Sequence, residues 1–145
     1  MGEMKSLQFG APKRKRFAVD GDETRYIEID TGDTGILARW SGVKKWFESA
    51  QERLAAMPKI EENTEESVDK FSEEFNALSE EVRQQLNTLF DSDVCTPIVG
   101  NGSMLRTVNG EPLFLITLET LLPLYEADIK VEMKKVEKHT AKYRG

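Results

Sequence analysis

Residues 36–57 read ILARWSGVKKWFESAQERLAAM, and in this stretch Ile36, Trp40, Val43, Phe47, Ala50, Leu54 and Met57 recur at alternating intervals of four and three. An α-helix turns once every 3.6 residues, so that rhythm gathers these side chains on one apolar face and decides for a helix-based fold. Gly42 costs about 1 kcal/mol relative to alanine in a helix interior, which the rest of the stripe outweighs. Pro58 cannot continue the ladder and ends the helix, which the spacing places at about 34–57. The stretch to Asn63 has the length of a connection between antiparallel helices.

Upstream, Asp30-Thr31-Gly32-Asp33-Thr34-Gly35 breaks the chain and offers Asp33 or Thr34 as an N-cap. Before it, Phe17 and Val19 alternate with polar residues, Asp20-Gly21 supplies a turn, and Tyr26, Ile27 and Ile29 follow. This pattern predicts a β-hairpin over 17–30, with Asp22, Glu23 and Thr24 pointing to a loop longer than two residues. A calcium-binding loop starting at Asp20 fails, because Arg25 stands where such a loop needs Gly and Thr31 where it needs Glu. A start at Asp30 fails in the same way at Ser41. The carboxylates here read as turn and capping groups.

Downstream, Thr64 with Ser67 resembles an N-cap region, and Glu65 and Glu66 suit the positive end of a helix dipole. Val68, Phe71, Phe75, Leu78 and Val82, then Leu86 and Leu89 after a slip of one position, predict a second helix over 64–90. The slip rotates the apolar face and argues against a long, regular coiled coil. On another face Glu62, Glu66, Asp69 and Glu73 form an acidic ridge. A di-metal carboxylate centre in a bundle uses Glu-x-x-His pairs, and the lone His139 has Val136 three residues before it, so no metal is expected. The ridge is either a solvated face or an electrostatic docking strip for a basic partner.

Asp91 to Gly110 is the irregular centre, with Gly100-Asn101-Gly102-Ser103 as a Gly-rich loop. It lacks the Gly-Lys-Ser/Thr ending of a phosphate-binding loop and the spacing of a dinucleotide site, so no cofactor is expected. Val94, Ile98, Met104 and Leu105 suggest a short helical turn and a loop pinned to the core, with Cys95 as a small structural residue. From Glu111-Pro112, Leu115, Leu118, Leu122, Tyr125, Ile129, Met133 and Val136 predict a last helix over 112–140. Pro123 predicts a kink or restart within it. Lys130, Lys134, Lys135, Lys138 and Lys142 collect toward its C-terminal end, the sign the dipole favours, and His139 reads as exposed among them.

The N-terminal 1–16 form a locally basic arm, in which Lys13, Arg14, Lys15 and Arg16 follow Pro12. Without interleaved aromatic side chains the run is a weak nucleic-acid footprint and reads as a solvated arm. Residues 17–145 are expected to form one α-rich domain. The 145 residues are 39% apolar and 32% charged with a net charge of −6, the balance of a mildly acidic globular chain. No apolar run approaches the roughly 18 residues of a membrane span, and residues 1–16 have no signal-peptide core, so a cytoplasmic address is expected. One Cys and one His exclude an internal disulfide and a Cys/His zinc site within one chain. The expected fold class is α+β and mainly α: an N-terminal hairpin, then three amphipathic helices with a Gly-rich loop before the last.

The order of these elements resembles small tail assembly chaperone proteins of long-tailed phages and prophages. The residues that carry the likeness are the basic arm, Phe17-Ala18-Val19-Asp20-Gly21 through Tyr26-Ile27-Glu28-Ile29-Asp30, two helices, Gly100-Asn101-Gly102-Ser103-Met104, and the ending Ala141-Lys142-Tyr143-Arg144-Gly145. The resemblance implies a non-enzymatic assembly factor in the bacterial host cytoplasm. Such proteins bind the tape-measure protein before the tail tube forms around it and help recruit tail tube protein. Trp46, Phe71 and Phe75 are the candidate anchors for a partner helix, and apolar ribbons of this extent predict a homo-oligomer. The alternative is a small acidic phage-encoded inhibitor or adaptor that docks on a host protein through Glu62, Glu66, Asp69 and Glu73. A small enzyme is disfavoured because no nucleophile–base pair, metal set or cofactor fingerprint stands in the sequence.

Overall fold

The computed structural model describes residues 2–11, 13–57 and 64–143. Its architecture is α+β and mainly α: an N-terminal hairpin followed by helices. Strands β1 (Lys15–Val19) and β2 (Asp22–Ile29) are antiparallel, with Phe17 opposite Ile27 and Lys15 opposite Ile29. Helices α1 (Gly35–Ala55) and α2 (Glu65–Phe90) come next. A short helix α3 (Cys95–Val99) and a two-residue-per-strand hairpin, β3 (Thr107–Val108) and β4 (Glu111–Pro112), lead into the long helix α4 (Leu113–Tyr143).

The first hairpin departs from its predicted loop. Val19 pairs directly with Asp22, so the turn is the two residues Asp20 and Gly21, at φ 51° and 76°, the positive-φ pair that suits strand twist. The surplus residues Glu23, Thr24 and Arg25 sit within β2 as an irregularity, where the Asp22 carboxylate accepts bonds from the Thr24 amide and hydroxyl. The hairpin also starts earlier than expected, because Lys15 and Arg16 are strand residues. All four basic residues are exposed, and three of them also touch the body. Arg14 donates to the Asp91 carbonyl, Lys15 pairs with Asp128 at 2.7 Å, and Arg16 sits over the Tyr26 ring. Farther out, Met4, Leu7 and Phe9 are exposed.

The α1 stripe packs as its spacing requires. Ile36, Phe47 and Ala50 are buried, and Trp40, Val43, Leu54 and Met57 pack against the core. The expected stop at Pro58 and the connection to Asn63 lie outside the described residues. Asp33, not Thr34, does the side-chain work at the helix start, accepting from the Gly35 amide and from Arg39. Arg39 also donates to the Leu89 carbonyl, tying the first turns of α1 to the last turn of α2. In α2 the Thr64 side chain caps the helix by accepting from the Ser67 amide. Leu78, Val82, Leu86 and Leu89 are buried, whereas Val68 is exposed and Phe71 and Phe75 are half-buried.

The short helical turn expected near Val94 and Ile98 is present as α3, which makes four helices among the described residues. Its first turn is held from outside: Asp93 accepts from the Thr96 amide, and Asn87 Oδ1 accepts from the amides of Val94 and Cys95. Helix α4 starts one residue later than predicted, because Pro112 belongs to β4, and it continues through Pro123 to Tyr143. A proline removes one donor, and the ladder around it persists with tertiary packing on both sides: Leu121 and Tyr125 are buried. The core joins all layers, with Phe47 of α1 facing Phe114 of α4 at 6.2 Å and Phe90 of α2 facing Tyr125 of α4 at 5.9 Å.

Candidate functional site

Strand alternation puts Phe17, Val19, Ile27 and Ile29 on one face of the hairpin, turned toward α4. On α4 the positions 113, 116, 117, 120, 121 and 124 share a face, because three- and four-residue steps return to the same side of a helix. Between these two surfaces lies a groove of about 420 Å³. Phe17, Val19 and Ile27 form one wall, and Leu113, Ile116, Leu121 and Leu124 form the other. Ile98 of α3 and Thr117 also line it, and Asp20 and Thr120 bring polar atoms to its lining. Three turns of α4 at 1.5 Å per residue give it a length of roughly 16 Å.

Long-range polar contacts hold the walls apart and in place. Arg25 donates to the Pro97 and Ile98 carbonyls, fixing the hairpin to the C-terminal end of α3. At the other end Asp128 accepts from Lys15 and from the Thr31 hydroxyl, fixing the hairpin base to α4. Those two hydrogen bonds hold the Asp128 carboxyl below the usual carboxylate range. Ser92 donates to the Glu28 carbonyl, so β2 is also tied to the end of α2. The walls of the groove are therefore tied together at both ends.

The Gly-rich loop is closed on itself. The Gly100 amide donates to Thr96 and the Gly102 amide to Val99, while Arg83 draws in the carbonyls of Gly100 and Gly102. The amides of Gly100 and Gly102 are thus spent on α3. Cys95 is buried, and burial pushes its thiol up to about 12, against a weaker opposing pull from Arg83. We expect this thiol to react with a disulfide reagent at least 100-fold more slowly in the native protein than in denaturant. Comparable rates in the two states would contradict the packing of α3. His139 is exposed on α4, as the sequence suggested. Among the described residues, no helix is long and apolar enough to cross a membrane, and no group of three or more His, Cys, Asp and Glu is placed to hold a metal ion.

The residues singled out from sequence lie away from the groove. Trp46 is half-buried on α1, edge-on to Phe47 at 5.3 Å and packed against the core. Phe75 is half-buried against the core, and Phe71 stacks on it at 5.5 Å. Glu66, Asp69 and Glu73 are exposed along the first turns of α2, whereas Glu62 lies outside the described residues. The groove residues carried a sequence signal, since Phe17, Val19 and Ile27 were legible as a strand face. Nothing in the pattern told which α4 face would meet them. No family model, curated protein or solved structure matches this chain.

Proposed function

We propose that this chain is a binding protein without catalysis of its own, which holds an amphipathic helix of a protein partner in the groove between the hairpin and α4. On the layout resemblance, the partner we propose is the tape-measure protein of a long phage or prophage tail, and the role we propose is that of a tail assembly chaperone. The groove is the observation that supports the reading. It presents apolar side chains to water along three turns of a helix, on a frame pinned at both ends. Covering such surface with the apolar face of a helix gains about 25 cal/mol per Å² removed from water, and only a few large side chains are needed as anchors.

Co-expression with the tape-measure protein tests this. Thr120 is exposed and lines the groove, so Thr120→Arg obstructs it without entering the core. The native chain is expected to keep the tape-measure protein soluble, and Thr120→Arg to reduce the soluble fraction at least five-fold while its own circular dichroism is unchanged. Equal solubility with the native chain, with the variant and with neither would contradict the proposal.

A further inference from the structure

Next to the groove lies a second pocket, of about 390 Å³, and Ile98 borders both. Its chemistry is different. The chain as a whole is acidic, with a net charge of −6, yet among the described residues those lining this pocket include Arg25 and Arg106 and no carboxylate. Gly100, Gly102 and Ser103, from the loop after α3, complete it, and the two arginines are open to solvent. The nearby Asp22 carboxylate is engaged by the Thr24 amide and hydroxyl.

The hydrogen bonding around the pocket decides what it offers a ligand. A helix C-terminus presents carbonyl oxygens, which repel an anion. Here those oxygens are already engaged. The Thr96 and Val99 carbonyls accept from the amides of Gly100 and Gly102, those of Pro97 and Ile98 from Arg25, and those of Gly100 and Gly102 from Arg83. Donors remain on the other side. Arg25 makes its bonds through Nε and Nη2, and its Nη1 makes none among the described residues. Arg106 is held by its backbone, whose amide donates to the Ser103 carbonyl and whose carbonyl accepts from the Leu113 amide. Its guanidinium makes no hydrogen bond or ion pair among the described residues. Ser103 Oγ lies 2.6 Å from Ser79 Oγ and accepts from the Leu105 amide, so when Ser79 donates in that pair the Ser103 proton is left for a ligand.

We propose that this pocket binds a phosphate group, either free or as a small monoester. A carboxylate has two oxygens in one plane, and a single guanidinium fork matches it. Two guanidinium groups and a hydroxyl, arriving from β2, from the residue before β3 and from the loop after α3, suit a tetrahedral group whose oxygens point in several directions. The pocket falls within the roughly 300–1,000 Å³ of small-molecule sites, so it has room for an organic part beside the phosphate. Side chains do the recognising here, since the glycine amides are engaged with α3. The site is independent of what fills the groove.

NMR titration of the isotope-labelled full chain with inorganic phosphate, glycerol phosphate and acetate, at a constant ionic strength of ~100 mM, tests this. Saturable shifts are expected at the side-chain Nε–Hε groups of Arg25 and Arg106 and at the Ser103 amide, with a Kd below ~10 mM for at least one of the two phosphates. The acetate Kd should be at least five-fold higher. Arg106→Gln, which leaves that residue's backbone bonds in place, should raise the phosphate Kd at least five-fold. Lys44→Gln, which removes an exposed cation that does not line the pocket, should change it less than two-fold. The tighter of the two phosphates identifies the source as the free ion or the monoester, and either order supports the site. The native chain's own Nε–Hε shifts test the proposal even where a variant fails to fold. Shifts that do not saturate or that spread over the surface lysines, or acetate, Arg106→Gln or Lys44→Gln falling outside those margins, would overturn it.

Discussion

Phe114→Ala is expected to lower the unfolding free energy by about 3–5 kcal/mol, the range for removing a large aromatic side chain from a packed interior. Phe114 is wholly buried, its ring lies 6.2 Å from that of Phe47, and its amide donates to the Met104 carbonyl. It is where α1, the loop before β3 and the first turn of α4 converge, so the void left by alanine has rigid walls on several sides. A domain of this size has a total stability on the order of 5–15 kcal/mol, and the variant should be close to half unfolded in mild denaturant. Urea titration reads the effect as a lower midpoint with an unchanged slope. A loss below about 1 kcal/mol would place the Phe47–Phe114 contact outside the core.

Asn87→Ala carries the second large effect. Its side-chain oxygen accepts from the Val94 amide at 3.0 Å and the Cys95 amide at 3.4 Å, and its nitrogen donates to Asp93 at 3.2 Å. Val94 and Cys95 are buried, so alanine leaves their amides without this acceptor in a place poor in water. The expected cost is about 2–3 kcal/mol, because a buried group left unpaired loses its full desolvation energy. The thiol of Cys95 gives a local readout: it should become accessible to a disulfide reagent in this variant under conditions that keep the native protein protected. Unchanged stability and unchanged protection together would show that α3 is held by other means.

The helices were legible because their apolar residues recur at helical spacing over many turns. Ile36 to Met57 needed no tertiary information, and the Thr64 cap and the buried run from Leu78 to Leu89 followed from the same rule. The Asp20-Gly21 turn was also written in the sequence, but Glu23, Thr24 and Arg25 were read as loop when they are absorbed within β2. That distinction depends on Arg25 reaching the carbonyls of α3, seventy residues away, which no local pattern contains. Asn109-Gly110 carried the same turn signal, at φ 53° and 81°, yet its flanking strands are two residues each and too short to register as alternation. The small helix at Cys95–Val99 depends on Asn87 and Asp93 for its first turn.

The candidate site was less legible than the fold. Trp46, Phe71 and Phe75 stand out as large aromatics, but periodicity cannot separate a stripe that packs inward from one that remains open. Which face of α4 borders the groove is set by the Asp128 contacts with Lys15 and Thr31 at one end and by Arg25 at the other. The exposed tail beyond Ile129 has the same apolar rhythm as the buried turns before it. What distinguishes the two is exposure: from Lys130 to Ala141 the described side chains are all exposed.

Photo-crosslinking tests the central claim most directly, with a benzoylphenylalanine placed at Thr120 in the groove or at the exposed Gln51 of α1, in cells that co-express the tape-measure protein. The groove account predicts a crosslinked adduct with the tape-measure protein from position 120 and little or none from position 51. Equal adducts from both positions, or an adduct from position 51 alone, would contradict it.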